Sequence, residues 1–294
     1  MAMIPNPLPK LAADPSGRSL GLQLPPGRLV DTTMDGPWHE PLLWHADAPA
    51  RPGGWSALLP ARRTAGLHPV LTVAGSDPER QPEDWELAPA MMSYPGDHDA
   101  EEVLAAFWEE YASDELAAPE DHPGRDTVVE VFGEPPAEGE TGEPCGTAWP
   151  GLAPAAAPGD DPDEVAAEIA DALLAEDSGL MLPRLALVPA RRSADIPAAL
   201  GWTGPLNHEN DVARLCSVLR SWEDRFGIRV VALGFDQLVV SVAAPPTTTA
   251  GAEAVAAEHF AFCPDNITQG SFPALREYAA KAVLGRSAWS FWWD

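Results

Sequence analysis

Positive charge is scarce in this chain of 294 residues, which has 18 lysine and arginine residues against 45 aspartate and glutamate residues. Its formal net charge is −27 at pH 7. Such an excess of negative charge repels the phosphates of nucleic acids and anionic membrane surfaces, and it attracts basic proteins. We therefore expect neither nucleic acid nor a membrane as the partner of this chain.

Cysteine and long apolar runs are also scarce. The three cysteines, Cys145, Cys216 and Cys263, are odd in number and far apart, which argues against a disulfide scaffold and favours a reducing compartment. Apolar stretches such as 228–235 are too short to cross a bilayer, which needs about 20 residues. The segment 1–15 lacks the apolar run of a secretory signal. These absences predict a cytoplasmic protein.

The common motifs of enzyme chemistry are absent as well. The sequence has no glycine-rich phosphate loop, no Cys-x-x-Cys pair, no His-Glu-x-x-His pattern and no nucleophile elbow. We therefore predict no cofactor and no metal ion. The absence of these motifs argues against an enzyme but does not exclude one.

The negative charge is concentrated in one central segment. Asp77–Asp177 contains 29 acidic residues and two basic ones, Arg80 and Arg125, whereas the rest of the chain is neutral. A solvated face that keeps the protein in solution is one interpretation of this charge run. A surface that binds a basic protein partner is the other.

Composition divides the chain into four parts. Residues 1–26 read as a proline-rich arm, and residues 27–133 as a smaller acidic α+β module. Residues 134–160 contain six prolines and five glycines, which is typical of a linker. Residues 161–294 are predicted to form a C-terminal α+β domain.

Periodicity predicts several elements in the acidic module. His68–Val73 reads as a strand, Asp97–Tyr111 as a helix with one apolar stripe, and Thr127–Phe132 as a second strand. In the next part, Asp161-Pro162-Asp163-Glu164 has the pattern that begins a helix, with a capping side chain followed by proline.

The C-terminal part shows a regular order of elements. A strand (184–189), a helix (207–226), two strands (228–233 and 238–244), two helices (247–263 and 271–284) and a last strand (289–293) are predicted in turn. This order is that of a ferredoxin-like split βαβ sandwich, an antiparallel sheet with helices on one face. The alternative is a single mixed sheet that also recruits the N-terminal strands.

Several motifs in the C-terminal part resemble those of a known family. They are Leu187–Arg192, Gly201-Trp202, Val218–Gly227, Glu258–Asp265 and Trp289–Asp294. Together they are similar to a bacterial family known as domain of unknown function 4253 (DUF4253), from Trp149 to the end of the chain. The region of Trp55 and Gly66–Leu71 is similar to the N-terminal part of longer, actinobacterial members. The resemblance implies a shared fold, and it implies no activity, substrate or catalytic residue.

The most site-like cluster is Glu258-His259 with Cys263 and Asp265. His259 and Cys263 are four residues apart, so on a helix they lie one turn apart on one face. This spacing could hold a metal ion, or it could let His259 accept the proton of the Cys263 thiol. The apolar stripe of the same helix favours packing against the sheet instead, since buried free cysteine usually behaves as a small hydrophobic residue.

Two functions follow as hypotheses. The first is a non-enzymatic interaction protein, similar to an immunity protein or antitoxin, whose segment Asp77–Asp177 binds a basic partner. The alternative is a thiol- or metal-dependent hydrolase centred on His259, Cys263 and Asp265. An open pocket around these three side chains favours the hydrolase, and a closed core favours the interaction protein.

Overall fold

The computed structural model describes residues 6–74, 82–117, 129, 148–157, 159–175, 181–272 and 274–293. The predicted strand Thr127–Phe132 except for residue 129, most of the predicted linker and much of the acidic segment lie outside these residues.

The described residues form nine strands. In chain order they are β1 (Gly27–Val30), β2 (Thr32–Thr33), β3 (Gly36–Pro37), β4 (Leu43–Ala46), β5 (Leu67–Ala74), β6 (Met181–Pro189), β7 (Ile228–Leu233), β8 (Gln237–Val242) and β9 (Ala288–Trp292). Seven of them form one sheet in the order β1-β4-β6-β5-β7-β8-β9, while β2 and β3 make a separate ribbon. Strands β5 and β7 pair in parallel, and the other neighbours in the large sheet are antiparallel.

The helices of the described residues are α1 (Pro9–Ala13), α2 (Gly54–Leu58), α3 (Pro60–Ala65), α4 (Ala100–Ala117), α5 (Pro162–Ala172), α6 (Ile196–Leu200), α7 (Val212–Phe226), α8 (Thr249–Phe262), α9 (Asp265–Thr268) and α10 (Leu275–Tyr278). A π-helical turn, Ala279–Val283, continues α10. The predicted helix that begins after Asp161 is α5, and the Asp161 side chain accepts a hydrogen bond from the Asp163 N–H as expected of a cap.

Helices cover both faces of the sheet. Neighbouring residues of a strand point to opposite faces, so Val70 and Val240 belong to one apolar core, and Leu71 and Val239 belong to the other. Helices α4, α6, α7 and α8 pack in the first core. Helices α1, α2, α3 and α5 pack in the second.

The mixed α+β class is confirmed, but the finer arrangement differs from the expected one. Helices lie on two faces rather than on one, and the sheet is mixed rather than antiparallel. The ferredoxin-like split βαβ order is not confirmed, because β9 pairs with β8 and not with β6. Strand β5, from the part predicted as a separate module, lies between β6 and β7. The described strands thus follow the alternative of a single mixed sheet.

Strand β5 explains why the two parts share a sheet. All eight of its residues, Leu67–Ala74, are buried, as in a strand with neighbours and helices on all sides. Gly66 ends α3 in the left-handed region at φ 68°, which lets the chain turn directly from the helix into this strand. The N-terminal half therefore contributes an internal strand to the sheet that positions the C-terminal helices.

Candidate functional site

Glu258 is a fully buried carboxylate near the end of α8. The Arg225 guanidinium on α7 donates to both of its oxygens, over 2.8 Å to Oε1 and 2.5 Å to Oε2. The Trp222 indole donates to Oε2 over 2.6 Å, and the Ala153 N–H donates to Oε1 over 2.6 Å. Each carboxylate oxygen therefore has two donors. This side chain joins α8, α7 and the segment 148–157, and it is engaged as a structural anchor.

His259 lies in an aromatic cage next to this anchor. The centroid of its ring is 5.0 Å from that of Trp222 and 4.6 Å from that of Trp289, and its Nδ1 is 2.9 Å from the Tyr278 hydroxyl. Burial, together with the nearby Arg225 cation, lowers the pKa of His259 to about 3. The imidazole is therefore neutral at neutral pH. It contributes a hydrogen bond and apolar packing to a closed core.

Cys263 follows α8 and is fully buried. Its thiol donates to the main-chain carbonyl of Trp292 on β9, with a distance of 2.9 Å between Sγ and O. Burial raises the pKa of the Cys263 thiol. A nucleophilic cysteine needs the opposite shift, because the thiolate is the reactive form.

Asp265 begins α9, and its Oδ1 accepts a hydrogen bond from the Gln269 amide over 3.0 Å. The four predicted site residues thus face different neighbours. Glu258 contacts α7, His259 contacts Tyr278, and Cys263 contacts β9. Among the described residues, no group of three His, Cys, Asp or Glu side chains is placed to hold a metal ion.

A cavity of about 520 Å³ along the outer edge of β9 was missed by the sequence analysis. Its walls include Asn266, Phe272, Tyr278, Arg286, Trp289 and Ser290. Trp289, near the aromatic end of the chain, is one of these walls. Nothing in the sequence pattern singled out Asn266 or Arg286, because each matters only through its position beside the strand.

Seven arginines of the described part are bound to acidic side chains. The pairs are Arg28 with Asp47, Arg62 and Arg229 with Asp163, Arg192 with Asp224, Arg214 with Glu209, Arg220 with Asp195, and Arg225 with Glu258. Asp163 accepts from Arg62 over 2.6 Å and from Arg229 over 2.8 Å. Burial opposes its ionisation, but these two arginines outweigh burial and lower the pKa of Asp163.

The described acidic residues of the central segment occur on two faces of the protein. Helix α4 buries Val103, Leu104, Phe107 and Trp108 and exposes Glu101, Glu102, Glu109 and Glu110. Helix α5 exposes Glu164 and Glu168. Because α4 and α5 cover opposite faces of the sheet, the acidic segment does not form one continuous patch within the described part.

The exposed acids of α4 are unpaired. No ion pair joins Glu101, Glu102, Glu109 or Glu110 to another side chain of the described residues. This outward face of α4, defined by the four glutamates, therefore has four exposed carboxylates without an ion-pair partner among the described residues, and Glu101 lines a cavity that Arg192, Arg220 and Arg225 also line.

The motifs that prompted the family resemblance meet in this part of the fold. Trp222 and Arg225 of one motif bind Glu258 of another, and Trp222 contacts Trp289 of the terminal motif at 5.6 Å between ring centroids. Residues 184–294 match the model of the family described as domain of unknown function (DUF4253). This part of the chain is similar to that family. The predicted resemblance is thereby confirmed for these residues.

The matched part contains strands β7, β8 and β9, helices α6 to α10 and the last six of the nine residues of β6. The Glu258 anchor and the cavity beside β9 both lie within it. No curated protein and no solved structure matches the chain at a significant level. None of the helices in the described residues is long and apolar enough to cross a membrane.

Proposed function

We propose that this chain is an acidic interaction protein that binds a basic protein partner through the outward face of α4. One observation carries this proposal. Glu101, Glu102, Glu109 and Glu110 are exposed and form no ion pair among the described residues, while seven arginines of this part are bound to other carboxylates.

The difference between the unpaired glutamates of α4 and the paired arginines matters because a charged surface residue normally has residues of opposite charge nearby. Here the arginines are held by acids that connect secondary-structure elements, such as Arg220 with Asp195 at 2.5 Å. None of these arginines forms an ion pair with Glu101, Glu102, Glu109 or Glu110. A basic partner would supply the missing cations, and the long-range attraction would speed the encounter of the two proteins.

An immunity or antitoxin role is one form of this proposal, in which the basic partner is a nuclease toxin. The hydrolase alternative centred on His259, Cys263 and Asp265 is less favoured by the geometry. Both His259 and Cys263 are fully buried, and each has a hydrogen bond to a different element. Neither side chain lines the cavity beside β9.

A pair of matched variants tests the proposal. Glu109→Gln/Glu110→Gln removes two charges from the outward face of α4, and Glu164→Gln/Glu168→Gln removes two exposed charges from the opposite face of the sheet. Both variants change the net charge equally, so a general effect of charge affects them alike.

Tagged wild-type protein and both variants would be used to capture partners from an extract of the source organism at low and at high salt. At low salt, we expect the wild type and the variant Glu164→Gln/Glu168→Gln on α5 to retain a basic protein, and the variant Glu109→Gln/Glu110→Gln on α4 to lose it. High salt is expected to release this protein. Equal capture by both variants, or capture that does not depend on salt, would contradict the proposal.

A further inference from the structure

The outer edge of β9 is only partly covered. Strand β9 is the last strand of the sheet, so one side of its main chain has no neighbouring strand. Unpaired main-chain groups at such an edge are a template for pairing with another extended segment. What the edge can bind depends on which of these main-chain groups already have a hydrogen-bond partner.

Asn266 covers the middle of this edge with its side-chain amide. Its Nδ2 donates to the Ser290 carbonyl over 2.7 Å, and its Oδ1 accepts from the Trp292 N–H over 3.1 Å. These are bonds of the kind that the main-chain N–H and C=O groups of an added strand would make at these positions. Beyond it, the Cys263 thiol donates to the Trp292 carbonyl. Asn266 and Cys263 therefore close the edge at its C-terminal end.

The remaining part of the edge is open. The N–H and C=O of a strand residue point to the same side, so the Ser290 N–H faces outward, as its carbonyl does. Ala288 is two residues away and has the same orientation. No described hydrogen bond occupies the Ser290 N–H or either main-chain group of Ala288. Ala288 and Ser290 both line the cavity of about 520 Å³.

Arg286 stands at the open end of this edge and lines the same cavity. Its Nε donates to the Lys281 carbonyl over 2.7 Å, which fixes the guanidinium, and no acidic side chain of the described residues pairs with it. Phe272 and Trp292 supply aromatic walls, and the buried Trp289 has an indole N–H without a partner. The cavity thus combines open main-chain groups, a cation and apolar surface.

We propose that the edge of β9 binds the C-terminal residues of an extended peptide, with the terminal carboxylate at Arg286. An antiparallel segment along β9 runs from the Trp292 end towards Ala288, so its C-terminus arrives beside Arg286. Because Asn266 and Cys263 already occupy the edge at the Trp292 end, the preceding residues of the peptide leave the strand there, and only its last few residues pair with Ala288 and Ser290. Main-chain pairing supplies affinity, and the carboxylate supplies specificity for a chain end. This site is separate from the outward face of α4 and does not depend on the function proposed above.

The experiment uses two pools of N-acetylated tetrapeptides of mixed sequence, identical except that one has free C-terminal carboxylates and the other C-terminal amides. Amide hydrogen exchange of residues 288–290 in the full chain, followed by mass spectrometry, reports the pairing. We expect the acid pool to slow exchange there, at about tenfold lower concentration than the amide pool.

Three variants make this test specific to individual residues of the site. Arg286→Gln is expected to abolish the preference for the acid pool, while Arg276→Gln, an exposed arginine outside the cavity, is expected to keep it. Ala288→Pro removes an outward N–H without touching the pairing with β8, and it is expected to weaken both pools. Thermal unfolding of each variant checks that the fold is retained.

Several results would overturn the proposal. One is unchanged exchange at residues 288–290 with both pools, and another is equal protection by the acid and amide pools. A third is protection by phenylacetate but by neither pool, which would make the cavity a site for small aromatic acids and not for peptide ends.

Discussion

At the scale of single residues, Glu258 shows how one buried charge connects three parts of the chain. The Arg225 side chain is 13% exposed and the Glu258 side chain is 0% exposed, so the pair is largely removed from water. Removing one partner of such a pair leaves an uncompensated buried charge. We expect Glu258→Gln to lower the free energy of unfolding by about 3–5 kcal/mol, measured by urea denaturation.

The matched control is Glu253→Gln, an exposed position on the same helix, for which a change within about 0.5 kcal/mol is expected. The double change Glu258→Met/Arg225→Met is expected to be much less costly than Glu258→Gln alone, because no charge is then left unpaired. A loss below about 1 kcal/mol for Glu258→Gln would mean that the anchor is not formed.

The lowered pKa of His259 predicts how the free energy of unfolding depends on pH. Its pKa of about 3 in the folded state is depressed below the ordinary value of 6.5, so the unfolded chain binds more protons between these two values. This contribution to stability is complete above pH 6.5 and is lost as the pH falls towards 3. For this residue the loss between pH 7 and pH 5 is about 2 kcal/mol. We expect His259→Gln to flatten the profile of unfolding free energy by this amount, and an unchanged slope would contradict the neutral buried ring.

The reactivity of the Cys263 thiol distinguishes a packed core from a reactive site. Its thiol is buried and its pKa is raised, so iodoacetamide should not label it in the folded protein. Cys216 is also buried with a raised pKa, and it serves as an internal control in the same digest. We expect both to be labelled only after denaturation. Rapid labelling of native Cys263 that His259→Ala suppresses would instead support the hydrolase alternative.

At the scale of secondary-structure elements, β9 depends on Asn266 to cover its outer edge. Asn266→Asp has nearly the same size but replaces the donor to the Ser290 carbonyl by an oxygen. We expect this change to cost about 1–3 kcal/mol of unfolding free energy and to speed amide exchange in β9. The control Gln269→Ala, an exposed neighbour, is expected to change stability by less than about 0.5 kcal/mol. Unchanged amide hydrogen exchange in β9 would show that the Asn266 side chain does not stabilise the edge of this strand.

The same element shows what the sequence could predict. The apolar run of β8 and the stripe of α8 predicted a strand and a helix, and both are confirmed at nearly the expected bounds. The pairing of β9 with β8 rather than with β6 was not predictable. The strands have similar apolar patterns, and such a pattern does not determine which strand lies beside which. The role of Asn266 depends on that pairing and was missed for the same reason.

At the scale of the whole molecule, the sheet joins sequence segments that composition alone had separated. The proline- and glycine-rich stretch 134–160 indicated a boundary between two units. Strand β5 precedes that stretch, and β6 and β7 follow it, yet β5 lies between them. Linker composition describes the local chain and carries no information about which strands pair across it. The two cores are likewise built from both sides of the stretch.

Limited proteolysis tests this arrangement directly. We expect the first cut within 134–160, because small and polar loop sequences are the preferred sites of nicking. Two independently folded units would then separate, and the C-terminal fragment would run alone. With β5 between β6 and β7, the two fragments should instead elute together in size-exclusion chromatography and separate only in denaturant. An intact control sample should elute at the same volume as the nicked one. A C-terminal fragment that separates under native conditions and stays folded would contradict the shared sheet.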